Sequence, residues 1–412
     1  MPTHDAYAAL RFRDCRLLLG GSLLGAMGRH MLSVALGWEL YERTHSAMAL
    51  GWVGLVQALP VILLAMPAGH LADRHDRRWI VIFTQLLLTL SSLGLAAVSH
   101  FGGPVPWMYA LLLLGSITQA FKGAAAASLL PQTVPEEHFS NAITWKSSTF
   151  QISSVAGPAL GGLLVAVLGG AAGVYVADAL LGLVYAGCAL FMRTPRGARP
   201  TEEVTWRTLA AGFRFVWQTK VILATLTLDL FAVLLGGATM LLPIYARDIL
   251  HVGPVGLGWL RAAPAVGAFL MAVALAHRPP LRRSGRAMLW AVAGFGVATI
   301  IFGLSTSFWL SLLMLGLSGA LDNISVVVRH SLVQLLTPDT MRGRVSAVNN
   351  VFISSSNELG AFESGVVAAW FGAVASVVSG GIGTLVVVLI TARLWPELRR
   401  LGSLHDLTPA RR

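Results

Sequence analysis

Charge is scarce in this chain, and acidic charge is scarcer still. Asp, Glu, Lys and Arg make up 12% of its 412 residues, against 55% hydrophobic, where a soluble domain carries roughly 25% charged residues. That deficit excludes an ordinary water-soluble globule. Cysteine is almost missing: Cys15 and Cys188 are the two. Both fall where the pattern places the cytoplasmic face, so neither a disulfide framework nor a metal cluster is expected. No GxxxxGKS or GxxxxGKT phosphate loop occurs, which removes ATP as the energy source. No nucleophile stands at readable spacing from a base, which argues against an enzyme. No metal and no cofactor are expected. A cleavable leader is not expected either, because the first apolar run is too long and lacks a small-residue cleavage site.

Long apolar runs are what the chain has in abundance. Stretches of about 20 residues recur along its length, each enough to cross a hydrocarbon core of roughly 30 Å as a helix. Twelve spans are expected, near 16–41, 48–68, 79–99, 107–128, 139–168, 171–192, 219–246, 255–277, 286–305, 308–328, 341–370 and 372–394. The net charge of +11 and pI near 10.6 suggest nucleic acid only until the cations are located. With the amino terminus inside, most of the 30 Lys and Arg lie on the cytoplasmic side, and Arg43 and Arg247 face out. This is the positive-inside bias, a record of topology. No basic domain stands apart from the spans, so a nucleic-acid partner is not expected. The partner is the lipid bilayer, with a multi-pass chain in the inner membrane and both termini cytoplasmic. Trp38, Trp52 and Trp107 fit an outer aromatic belt.

A repeat lies at an offset of 203. Residues 135–169, "PEEHFSNAITWKSSTFQISSVAGPALGGLLVAVLG", align without a gap on 338–372, "PDTMRGRVSAVNNVFISSSNELGAFESGVVAAWFG". Pro135 meets Pro338, Ser153 meets Ser356, and Gly157, Gly162 and Gly169 meet Gly360, Gly365 and Gly372. Chance matching of Gly and Ala in two apolar helices is the alternative, but the loop proline and the closing glycine match as well. The chain therefore reads as an all-α membrane protein of two pseudo-symmetric six-helix bundles, 1–192 and 219–412, joined by a cytoplasmic linker at 193–218. In the linker, Trp206, Leu209, Ala210, Phe213 and Trp217 fall at helical spacing with Arg207 and Arg214 between them. That suits a short helix on the inner leaflet, or else the start of the seventh span. Twelve spans in two related halves with scattered polar residues is how secondary transporters are built.

Between the second and third spans stands "GHLADRHDRR", residues 69–78. A short cytoplasmic turn needs arginines to hold topology, Gly69 would let two helices approach closely, and Asp73 can accept hydrogen bonds from another helix's amino end. Positive-inside anchoring alone accounts for Arg74, Arg77 and Arg78 but not for Asp73. The stretch resembles the signature loop of the major facilitator superfamily, Gly-x-Leu-Ala-Asp-Arg-x-Gly-Arg-Arg, with Asp76 where glycine is usual. The resemblance implies the twelve-helix major facilitator fold and a gating role for Gly69, Asp73, Arg74, Arg77 and Arg78, with Asp73 and Arg77 steadying the outward-facing state. "SSVAGPALGG", 153–162, resembles the fifth-helix motif of antiporters in that superfamily, with Gly157, Pro158, Gly161 and Gly162 in place. It implies a hinge; ordinary small-residue packing is the plainer reading.

"AFKGAAAASLLPQTVPEEHFSNA", 120–142, and "RGRVSAVNN", 342–350, resemble the enterobactin-exporter-like branch more narrowly. Members export siderophores, macrolides and other amphipathic compounds, usually by proton exchange. The resemblance thus implies a monomer that exports a small amphipathic organic compound by proton antiport. A lipid or metal-ion exporter of the same fold, or a non-transporting membrane sensor or scaffold, are the alternatives. Gln119 stands where drug antiporters often carry an arginine, with Lys122 the nearby cation.

An ionisable side chain at mid-bilayer costs about 2.5–3.5 kcal/mol on insertion scales, so each must face a cavity or a partner. Arg29, His30, Asp229, Asp322, Glu358 and Glu363 fall inside spans and are the candidates for proton coupling or substrate contact, or for structural ion pairs. Asp229 and Glu358 suit coupling best, since a carboxylate in a cavity of changing hydration gains and loses its proton as access alternates. Arg29 stands where relatives often have an acid, and Asp229 is its expected partner, with Glu358 the alternative. Asp178, Arg261 and Lys146 are set aside as structural.

Overall fold

The computed structural model describes residues 5–193, 206–278, 283–338 and 341–402. They form helices α1 (Arg13–Thr44), α2 (Ala47–Arg74), α3 (Arg77–His100), α4 (Val105–Leu129), α5 (Phe139–Val167), α6 (Ala172–Leu190), α7 (Trp206–Gln218), α8 (Lys220–Gly236), α9 (Leu242–Ile244), α10 (Gly253–Ala276), α11 (Ser284–Leu304), α12 (Phe308–Leu336), α13 (Arg342–Phe371), α14 (Ala373–Leu394) and α15 (Pro396–Arg400). Among the described residues 11 segments are long and apolar enough to cross a membrane. The twelfth expected span is α13, whose 30 residues suffice in length but include Arg342, Arg344, Glu358 and Glu363.

Contacts divide the chain into one unit of Met1–Glu42 with Leu59–Val204 and another of Arg43–Ala58 with Thr205–Arg412. In the first, α1 approaches two neighbours through glycine. Gly21 and Gly25 face the Tyr185 ring of α6, and Gly28 faces Asp178 one helical stretch earlier; a Cβ at any of them would collide. On its other side α1 meets α5: a Cβ at Gly157 would stand 2.5 Å from His30 Cβ, and one at Gly161 2.7 Å from Met31 Cα. Small residues bring the backbones together where lipid supplies no hydrophobic drive. At one end Leu18, Val81, Leu129 and Met192 join in an apolar core.

In the second unit α13 repeats these roles. A Cβ at Gly360 would meet the carbonyl oxygens of Leu234 and Val233 on α8 at 2.7 and 3.0 Å. Gly360, Val233 and Leu234 are the offset-203 counterparts of Gly157, His30 and Met31. Ser153 and Ser356 are both fully buried, and each donates its hydroxyl one turn back, to Phe150 O at 2.8 Å and to Ile353 O at 2.9 Å. Gly169 and Gly372 take φ of +69° and +89°, the left-handed conformation that glycine alone adopts freely, and end α5 and α13. Residues 47–58 of α2 pack on α13 in this unit, where Gly51 and Gly365 meet backbone to backbone. Gly267 of α10 and Gly316 and Gly319 of α12 bring those two helices together in the same way.

The linker's helix exists as its own element. α7 stops at Gln218 and α8 starts at Lys220, with Thr219 at φ −93°, ψ 87° breaking the run. Val216 is buried and Phe213 and Trp217 are exposed, while Gly212 lies against the Arg344 backbone of α13. Residues 194–205, the side chains of Trp206, Arg207 and Leu209, and the tail beyond 402 lie outside the described residues. Nothing lies within 4 Å of a Cβ built on Gly69 among the described residues.

Candidate functional site

Each unit holds a buried polar cluster among apolar helices. In the first, four helices contribute side chains at spacings that share a face: Gln85 and Ser92 on α3, Gln119 and Lys122 on α4, Asp178 and Tyr185 on α6, with Arg29 on α1. The Arg29 guanidinium donates from Nη1 to Gln119 Oε1 at 2.9 Å. Lys122, 3% exposed, donates to Gln85 Oε1 and stands 4.7 Å over the Tyr185 ring, a cation–π contact. Ser92 Oγ donates to Asp178 Oδ2 at 2.5 Å, and Asp178 is 8% exposed. Gly28 leaves the space that Asp178 fills, and Gly182 leaves space for Gln85 and Thr89, each 2.7 Å from its absent Cβ. Two cations face one carboxylate within electrostatic reach.

The second unit arranges its charge differently. Asp229 of α8, 6% exposed, forms an ion pair with Arg329 of α12, 2% exposed. Asp322, Ser325 and Arg329 follow one another at three and seven residues on one face of α12. Ser325 Oγ, Asn323 Oδ1 and Arg329 Nε are buried without hydrogen-bond partners among the described residues. Glu358 and Glu363 sit half-buried on α13, and Ser364 Oγ donates to Glu363 Oε2 at 3.4 Å. Just beyond Asp229 the helix breaks at Gly237 and continues as a 3-10 turn, the short α9 and a π-helical turn, Tyr245–Ile249. Interrupted helices of this kind bring free backbone groups to polar sites in transporters.

The pairing expected from the sequence is corrected here. The partner of Asp229 is Arg329, a residue the sequence reading passed over, and the partner of Arg29 is the neutral Gln119. Asp178, set aside as structural, stands inside the first cluster. Glu39 was also missed: it is buried and accepts from the Tyr175 hydroxyl at 2.7 Å. His30 lies 3.4 Å from Ser154 Oγ and against Gly157.

In the signature loop, Asp76 caps α3: its Oδ1 accepts from Arg78 N at 3.0 Å, the ordinary role of an N-cap acid. Arg78 Nε donates to Ala189 O at 2.9 Å and its Nη2 to Leu190 O, satisfying the last carbonyls of α6. Arg74 and Arg77 border the same turn, and the side chain of Asp73 lies outside the described residues. In α5, Gly157, Pro158, Gly161 and Gly162 are all buried.

Among the described residues, 11 membrane-length apolar segments and the 30-residue α13, with ionisable side chains buried among apolar ones, define a secondary membrane transporter. Solved transporters share the fold. A bacterial homologue of the human lysosomal transporter Spinster, inward-facing and unoccupied, superposes with a TM-score of 0.73 at 16% identity, over 94% of this chain and 96% of that one. A POT family transporter in complex with 5-aminolevulinic acid gives 0.73 at 12% identity, over 94% and 97%. The chain belongs to the transmembrane secretion effector family of the major facilitator superfamily, which matches residues 4–407. It is 28% identical over 410 residues to the enterobactin exporter EntS of Citrobacter koseri, covering 97% of this chain and 94% of that protein. The EntS of Shigella boydii serotype 18 is 27% identical over the same shares. The protein is a multi-pass membrane transporter, not an enzyme.

Proposed function

We propose that the chain exports a small amphipathic organic compound, siderophore-like or drug-like, across the bacterial inner membrane in exchange for protons. It works as a monomer with both termini cytoplasmic. The observation that carries this reading is likeness along 97% of the chain to proteins named as enterobactin exporters, which supports the cargo class. Proton exchange is supported by the acids of the second unit. Asp229 is tied to Arg329, whereas Asp322 and Glu358 have no ion-pair partner among the described residues and are free to carry a proton. The glycines of α5 serve as the hinge on which α5 moves over α1, and Asp73 with Arg77 as the latch of the signature loop.

The test is counter-transport in proteoliposomes with an imposed pH gradient, loaded with enterobactin and separately with a macrolide. Efflux should collapse when a protonophore removes the gradient and should fall in Asp322→Asn and Glu358→Gln. Efflux indifferent to pH refutes the antiport reading, and no movement of either compound refutes the cargo class.

A further inference from the structure

We propose that the cationic cluster of the first unit binds an acidic group of the transported compound, with Arg29 as the residue that touches it. This rests on the export reading and adds the charge class of the cargo.

The argument starts from unmatched charge. Arg29 and Lys122 stand against Asp178 alone, and no ion pair joins Asp178 to either cation among the described residues. The partners that hold the two cations are neutral: Gln119 for Arg29, and Gln85 and the Tyr185 ring for Lys122. Asp178 is engaged elsewhere, by Ser92 and in the space beside Gly28. A permanent guanidinium deep in a membrane protein needs a carboxylate, water or an anion. The same chain shows what a closed arrangement looks like, because its second unit pairs Arg329 directly with Asp229. The first unit lacks that closure, and a ligand anion would supply it.

The two cations differ in access. Lys122 is 3% exposed and shut behind Gln85 and the Tyr185 ring. Arg29 is half-buried, and among the described residues one of its five N–H donors is engaged, by Gln119. The remaining fork matches two coplanar oxygens, as in a carboxylate or a pair of adjacent acidic hydroxyls. A cationic amphiphile would meet repulsion instead.

The test is thermal unfolding of the purified full-length chain in detergent with three probes: 1-naphthoate, its neutral isostere 1-naphthamide, and tetraphenylphosphonium. Naphthoate should raise the melting temperature well above the effect of the other two. Arg29→Gln should weaken naphthoate at least about tenfold, as loss of a charged hydrogen bond implies, and Arg29→Lys should fall between. Without any probe, Arg29→Gln should melt at or above the wild-type temperature, because it removes an unmatched cation. Equal shifts for acid and amide, including no shift for either, overturn the proposal, as does a probe-free Arg29→Gln melting several degrees low. Acid-over-amide discrimination that persists while proton-driven efflux fails would defeat the export reading alone. Proton-driven efflux with no discrimination would defeat this inference alone.

Discussion

The ion pair between Asp229 and Arg329 permits a quantitative test. Both side chains are almost wholly removed from solvent, at 8% and 3% exposure, and Arg329 Nε has no other hydrogen-bond partner among the described residues. Asp229→Asn therefore leaves a full positive charge with no counter-ion, and Arg329→Gln leaves a bare carboxylate. Removing one member of a buried pair costs about 3–5 kcal/mol, whereas removing both leaves neutral amides and costs far less. The double variant should thus recover about 2 kcal/mol or more of the summed single losses. Interhelical contacts between neutral polar groups in membranes average only about 0.6 kcal/mol in such cycles, so a coupling of this size marks an ion pair. The assay is unfolding by SDS in mixed micelles, followed by tryptophan fluorescence for wild type, both single variants and the double. Additivity within about 0.5 kcal/mol would refute the reasoning and leave Asp229 available for coupling.

Other outcomes follow from packing. Gly20→Ala should be silent and Gly21→Ala should destabilise by about 1–3 kcal/mol, because among the described residues nothing lies within 4 Å of the first and the Tyr185 ring lies against the second; equal melting temperatures would discount the α1–α6 contact. Gly319→Ala, which drives a methyl into the Pro264 backbone, should impair expression and thermal stability more than Gly69→Ala, which meets nothing within 4 Å among the described residues. Asp76→Ala should cost about 0.5–2 kcal/mol as a lost N-cap, with Asp76→Ser recovering most of it in the same SDS titration.

Helix number was legible because a span is a matter of length and composition, properties read one residue at a time; limits were legible for some spans, but the expected seventh, 219–246, breaks at Gly237 and the expected tenth, 308–328, runs on to Leu336. The expected fourth span, 107–128, became Val105–Leu129, and the fifth, 139–168, became Phe139–Val167. Partnerships were not legible in the same way. Position along a helix gives depth, but which neighbour a side chain meets depends on how helices far apart in sequence turn toward one another. Arg29 and Asp229, which the sequence suggests as a pair, have separate partners. Some signals were present and passed over. Gly21, Gly25 and Gly28 recur along one face of α1, a sign of a close neighbour, and Arg329 lies seven residues from Asp322 in an otherwise apolar helix. Asp76 read as a departure from a motif, whereas its place just before α3 made it a cap.

The correspondence of Gly157, His30 and Met31 with Gly360, Val233 and Leu234 separates two kinds of inheritance. Backbone contacts were copied between the halves, down to the glycine that ends each helix, while side-chain charge was not. Where the first unit has Arg29, Gln119 and Lys122, the second has Ala232, Asp322 and Ser325 at the same offset. Descent thus preserved the skeleton and left its polar positions free to diverge, one half toward cation and the other toward acid. In a library of substitutions, the two halves should tolerate and reject changes alike at their matched glycines and unlike at these three positions. Either half is a guide to where its counterpart's backbone runs, but not to the charge it carries.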